Sequence, residues 1–209
     1  MTNPWTQLFT DHFQHFQQQW LKPLQQKTFR QADKQIILID LFEGLNHSKQ
    51  HLYQLKETLS HLAETFSYGD DSWMARHVLR QNSISKVAFV AGKADLIPPA
   101  HRDSLLNLLQ QITAGAVARF HNKPVQFEHF LVSAIQATDP GSNPNSLRYL
   151  DADGRYLEAE FEPLPDTLAQ MSANEHFPVL PARVPEDYLP RMLNGRGLDR
   201  LFQFLLGKE

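Results

Sequence analysis

Apolar positions along this chain recur in two rhythms. Trp5, Phe9, Phe13, Phe16 and Trp20 fall at spacings of four, four, three and four, which is one face of an amphipathic helix. Pro23 should end that helix. The stripe is expected to pack on its own domain, with a partner-binding face as the alternative. The second rhythm is the short unbroken apolar run. Gln35 to Asp40 holds Ile-Ile-Leu-Ile closed by an acid, Lys86 to Ala91 is a second run, and Phe127 to Val132 reads as a third strand. Shortness and β-branched content predict a buried parallel strand for the first run, and the second is read as buried too. Between them lie helical patterns. Leu52, Leu55, Leu59 and Leu62 mark a helix over about 48–66, broken at Tyr68-Gly69-Asp70-Asp71-Ser72, with a shorter helix from Trp73 to Leu79. Pro98-Pro99 opens a long helix to about Phe120, with Leu105, Leu106, Leu109, Ile112 and Val117 inward.

Strand, helix, strand, helix, strand implies right-handed crossovers, a mainly parallel sheet and helices on both faces. After Thr138 the texture changes. Leu147 to Leu150 and Arg155 to Phe161 flank Asp151-Ala152-Asp153-Gly154, a hairpin signal. Residues 162–197 are Pro-rich and read as an irregular wrap over the core. Leu198 to Leu206 is a closing helix, with Leu198, Leu201, Phe202 and Leu205 on one face and Gly207 at its end. The expected division is a unit over 1–138 and a hairpin, wrap and closing helix over 139–209 on the same core.

Composition narrows the function classes. The 209 residues carry a net charge of −3, so a basic nucleic-acid footprint is absent. With no Cys there is no disulfide, thiolate metal site or Cys nucleophile. No apolar run reaches the length of about 18 residues needed to span a bilayer. The start lacks the marks of a signal peptide. The simple reading is cytoplasmic.

The strongest chemical signal is Lys93-Ala94-Asp95, just past the second run. In an open parallel sheet, ligands sit at the carboxyl ends of the strands. An Asp carboxylate there accepts hydrogen bonds from guanine N1 and N2, a donor pair that adenine lacks. Each charge-assisted bond is worth about 1.5–3 kcal/mol, enough for discrimination. The Lys stem can cover the base plane. The competing reading is an exposed loop with an internal ion pair. Ser133-Ala134 follows the third run, where a small residue lets a backbone N–H approach the base carbonyl. Asp40 ends the first run. An acid there can hold a Mg²⁺ water in a nucleotide site, or it can cap the next turn or helix. Glu43, one turn later, is the candidate to orient a nucleophilic water. A phosphate loop needs Gly five residues before Gly-Lys, but Val87 and Phe202 stand at those places. His47 and His51 read as a surface pair, and Asp151 to Gly154 as a turn. No catalytic residue is assigned.

In order, these pieces resemble the carboxyl-terminal half of the YcjX-type family of Ras-like P-loop GTPases. The resemblance rests on Phe29 to Asp40, Leu45-Asn46, Phe89 to Asp95, Val132 to Thr138, Phe177-Pro178, Pro181 to Pro185, and Leu198 to Gly207. It implies a partial Ras-like P-loop NTPase domain that binds and hydrolyses GTP, with GTP or GDP and Mg²⁺ as cofactors. It places base contact on Lys93 and Asp95, loop support on Ser133 and Ala134, and the Mg²⁺-side acid on Asp40. Gly92 departs from the family's Thr. The phosphate loop is expected in an amino-terminal half, so this chain alone should bind nucleotide poorly. The resemblance also implies a stress-linked protein near the inner membrane with a membrane-protein partner. The competing class is a nucleotide-free interaction module built on the aromatic stripe and the Pro-rich tail.

Overall fold

A computed structural model describes residues 4–23, 32–62, 84–173, 175, 177–193 and 195–207. The expected break at Tyr68 to Ser72 and the helix from Trp73 to Leu79 lie outside these residues. Three strands form a parallel sheet in the order β1 (Lys34–Ile39), β2 (Lys86–Ala91), β3 (Gln126–Leu131). The register pairs Ile39 with Ala91 and Ala91 with Leu131, so all three strands end level. Asp40, Gly92 and Val132 therefore leave the sheet side by side.

β2 is the central strand, and all six of its residues are buried. Alternation sends Val87, Phe89 and Ala91 to one face, where α3 (Lys49–Leu62) and α4 (Arg102–Arg119) pack Leu52, Leu105, Leu109 and Ile112 against them. Ala88 and Val90 face the other way, with Phe130, Val132, and Leu201 and Leu205 of the closing helix. The chain is thus an α/β fold with helices on both faces of a parallel sheet. Thr138–Pro140 (β4), Ser146–Leu150 (β5) and Tyr156–Glu160 (β6) form a separate antiparallel sheet. Gly154 adopts φ +81 in the β5–β6 turn, a conformation that costs an L-residue about 1–2 kcal/mol.

Several expectations need correction. The aromatic stripe lies on α1 (Pro4–Phe16) and the π-helical turn Gln17–Leu21. Trp5, Phe9, Phe13, Phe16 and Trp20 are all exposed, from 48% to 71%, so the face is not packed into the domain core. Helical periodicity reports amphipathicity and does not say what covers the apolar face. In α4, Leu108 and Ala116 are buried, whereas Leu106 and Val117 are only partly so. In the closing helix Phe202 is exposed and Phe204 packs inward instead. Two short helices also escaped the reading: α2 (Leu41–His47) and α5 (Tyr188–Leu193), with Leu198–Leu206 becoming α6. Neither is long enough to display a period.

The closing helix is anchored from inside the sheet. Lys86 is buried, and its Nζ donates to the carbonyls of Phe204 and Gly207 at 3.0 and 3.1 Å. Those carbonyls belong to a helix end, where intrahelical donors run out. The ammonium also lies 5.6 Å from the Phe204 ring centroid.

Candidate functional site

The level strand ends bring Asp40, Lys93 and Ser133 to one rim of the sheet. Asp40 is the cap of α2: Oδ1 accepts from the N–H groups of Phe42 and Glu43 at 3.1 and 3.2 Å. Its Oδ2 accepts from Lys93 Nζ at 2.7 Å. Burial pushes the Asp40 carboxyl up, but Lys93 and the two N–H donors outweigh it and hold the pKa below the ordinary value of 3.8.

Lys93 is the one non-Gly residue with positive φ among the described residues, at φ 61, ψ 28. That conformation costs an L-residue about 1–2 kcal/mol. It swings the chain into the 3₁₀ turn Ala94–Leu96, which buries Asp95. Asp95 Oδ1 accepts from Ser133 Oγ at 2.7 Å, and Oδ2 from the Ala137 N–H at 2.9 Å. Thr138 Oγ1 donates to the Asp95 carbonyl at 2.5 Å. The Ala94 N–H donates to the Val132 carbonyl at 3.0 Å. The loops after β2 and β3 are therefore laced together through Asp95.

A carboxylate has about four acceptor sites, so each Asp95 oxygen keeps capacity beyond its internal donor. The arrangement fits a base with two adjacent N–H groups. Ala134 is exposed beside it, while Ser133 is buried and bridged through its backbone to Arg196. Asp40 fits a metal poorly. One oxygen caps two N–H groups, and the Lys93 ammonium already occupies the other. Among the described residues no three His, Asp or Glu gather as a metal site.

Three further residues hold this rim. Ala137 and Thr138 fall in the Ser-Ala-Ile-Gln-Ala-Thr segment, so their signal was present but attached only to its first two members. Arg191 had no signal. It donates to the Gln136 carbonyl at 3.1 Å, to both Asp139 oxygens at 3.2 Å, and through Nε to Asp187 at 2.9 Å. It clamps the loop after β3 to α5. The Asp139 carboxylate, then its ion pair with Asp187, hold the Arg191 pKa above its usual value despite partial burial.

Residues 2–209 match the YcjX-like family, DUF463. The chain belongs to that family. Similar proteins include the Ras-like GTPase YcjX of Shewanella oneidensis, 27% identical over 129 residues. That alignment covers 62% of this chain and 26% of the relative. The Ras-like GTPase YcjX of Escherichia coli is 25% identical over 134 residues, covering 64% of this chain and 28% of the relative. The chain spans little more than a quarter of the length of these YcjX-like relatives. Among the described residues no helix is long and apolar enough to cross a membrane.

Proposed function

We propose that this chain supplies the base-reading end of a guanine-nucleotide site in a GTP-binding and GTP-hydrolysing protein of the YcjX type. The carrying observation is the Ser133–Asp95 hydrogen bond at 2.7 Å, which presents one carboxylate between two loops at the strand ends. Asp95 accepts from guanine N1 and N2. The Lys93 stem covers the base, and the Ala134 N–H faces its carbonyl. The left-handed Lys93 supports this reading. Gly92 stands next to the strained position, yet a side chain is kept where Gly would cost nothing; strain of this kind clusters at ligand sites. Asp40 serves by fixing the Lys93 ammonium, and no metal step is assigned to it. The phosphate grip, and hence hydrolysis, must come from residues other than those of the described rim.

The test is a titration of the purified chain with guanosine and with adenosine, followed by backbone amide shifts. Guanosine should move the amides of 93–95 and 133–138, and adenosine should not. Equal responses, or a guanosine response that survives Asp95→Ala, would overturn the assignment.

A second reading has its own observation. The exposed aromatic face of α1 favours a protein-interaction module that needs no nucleotide. It stands if guanosine produces no response.

A further inference from the structure

A cavity of about 740 Å³ lies on the outer side of β3, and Asp95 is not among its lining residues. The first turns of α4 and α6 and the turn between α5 and α6 wall it. Three guanidinium groups line it, those of Arg102, Arg196 and Arg200, against one carboxylate, Asp199. None of the three arginines forms an ion pair or side-chain hydrogen bond among the described residues. Arg102 Nε is buried and has no hydrogen-bond partner among the described residues. An unpaired buried donor is costly, more so on a charged group.

Burial holds the Arg102 pKa below its usual value, and the neighbouring Arg196 charge pushes it the same way. Asp95 pulls in the opposite direction but is outweighed. His129 also faces the cavity. Burial lowers its pKa, and its Nε2 lies 2.7 Å from Thr113 Oγ1, so it adds no charge near neutral pH. Leu106, Leu131 and Leu193 supply apolar lining.

Three guanidinium groups that outnumber the nearby carboxylates are a poor design for stability and a good one for ligand capture. Guanidinium forks match oxyanions in geometry and charge. A volume of this size suits a small organic ligand rather than a bare ion. The geometry points to a binding site for a small organic oxyanion, a phosphate or carboxylate gripped by Arg102 and Arg196 with an apolar body against Leu106, Leu131 and Leu193. Arg200 supplies attraction at the mouth. The site is independent of the guanine reading.

Calorimetric titration of the purified chain with phenyl phosphate, benzoate and inorganic phosphate tests it. Phenyl phosphate or benzoate should saturate, and the tighter of the two identifies the oxyanion. Inorganic phosphate should bind at least about tenfold more weakly than phenyl phosphate if the latter is tighter, because it has no body for the apolar wall. Arg102→Gln and Arg196→Gln should each weaken binding about tenfold or more. Circular dichroism establishes that each variant is folded. Arg200→Gln, exposed on α6, gives a smaller loss and remains informative if the other two do not fold. Failure of both aromatic probes to saturate overturns the site. So does binding that the folded arginine variants leave unchanged.

Discussion

The Lys93 ammonium lies 2.7 Å from Asp40 Oδ2, so the residue expected to cover a base is held by the residue expected to face a metal. The pair ties the carboxyl end of β2 to that of β1. Both side chains are substantially exposed, so the ion pair itself adds no more than about 1 kcal/mol. The cap on α2 contributes about 1 kcal/mol. Asp40→Ala should therefore cost about 1–2 kcal/mol in urea unfolding. Asp40→Asn keeps a capping oxygen and should lose less. Because the folded pKa is depressed, this stability is present above 3.8 and lost as pH falls through the folded value. Unfolding curves across that window should show the loss in the parent and not in Asp40→Ala.

Lys93→Gly should separate stability from recognition. It relieves a left-handed side chain worth about 1–2 kcal/mol and removes a weak ion pair. The net change in unfolding free energy should stay within about 1 kcal/mol. The guanosine response should fall, because the stem over the base is gone.

Gly92→Thr tests the departure from the family pattern. A Cβ at Gly92 meets nothing within 4 Å, and its φ is not positive. Stability should hold or rise by about 0.4–1 kcal/mol, since Gly loses more chain entropy on folding. Gly197→Ala should behave oppositely: φ is +78 and the new Cβ would meet the Leu131 carbonyl oxygen. A loss above about 1 kcal/mol in urea unfolding is expected there.

Lys86→Met should leave the Phe204 and Gly207 carbonyls without their buried donor. A loss of about 1–3 kcal/mol is expected. Hydrogen exchange should show α6 opening first, ahead of β2.

The hairpin carries its own pH signature. Glu158 Oε1 accepts from Ser142 Oγ and Ser146 Oγ at 2.5 and 2.6 Å and from the Ser142 N–H at 2.7 Å, which pushes its pKa down to about 2. The stabilisation is present above 4.5 and is lost as pH falls through about 2. Carboxyl-detected NMR titration should find that low value, and Ser142→Ala should move it upward.

The three parallel strands were legible as short segments between turn residues, but only β2 is fully buried: β1 leaves Ile36 and Leu38 exposed, and β3 carries Gln126, Glu128 and His129 among its apolar residues. The nearness of Asp95 to Ser133 follows from that topology, because the loops after β2 and β3 leave the sheet side by side. Arg191 and Lys86 were not legible, because each acts on a carbonyl more than fifty residues away in the chain, and carbonyls leave no mark in sequence. The α1 face misled for a related reason. Its period is correct, but Trp5 and Phe9 stay exposed. Asp40 was open between cap and metal acid, and α2 was too short to reveal that a helix began there.

The most direct test exchanges the acceptor at the centre of the site. Asp95→Asn keeps an oxygen for the Ala137 N–H and an amide toward Ser133, but turns one acceptor edge into a donor. Guanosine, which offers two N–H groups, should lose its amide-shift response in this variant. Xanthosine, which offers a carbonyl in place of the exocyclic amine, should gain one at 93–95 and 133–138. A variant that still responds to guanosine as the parent does, with xanthosine silent in both, would contradict base reading by Asp95.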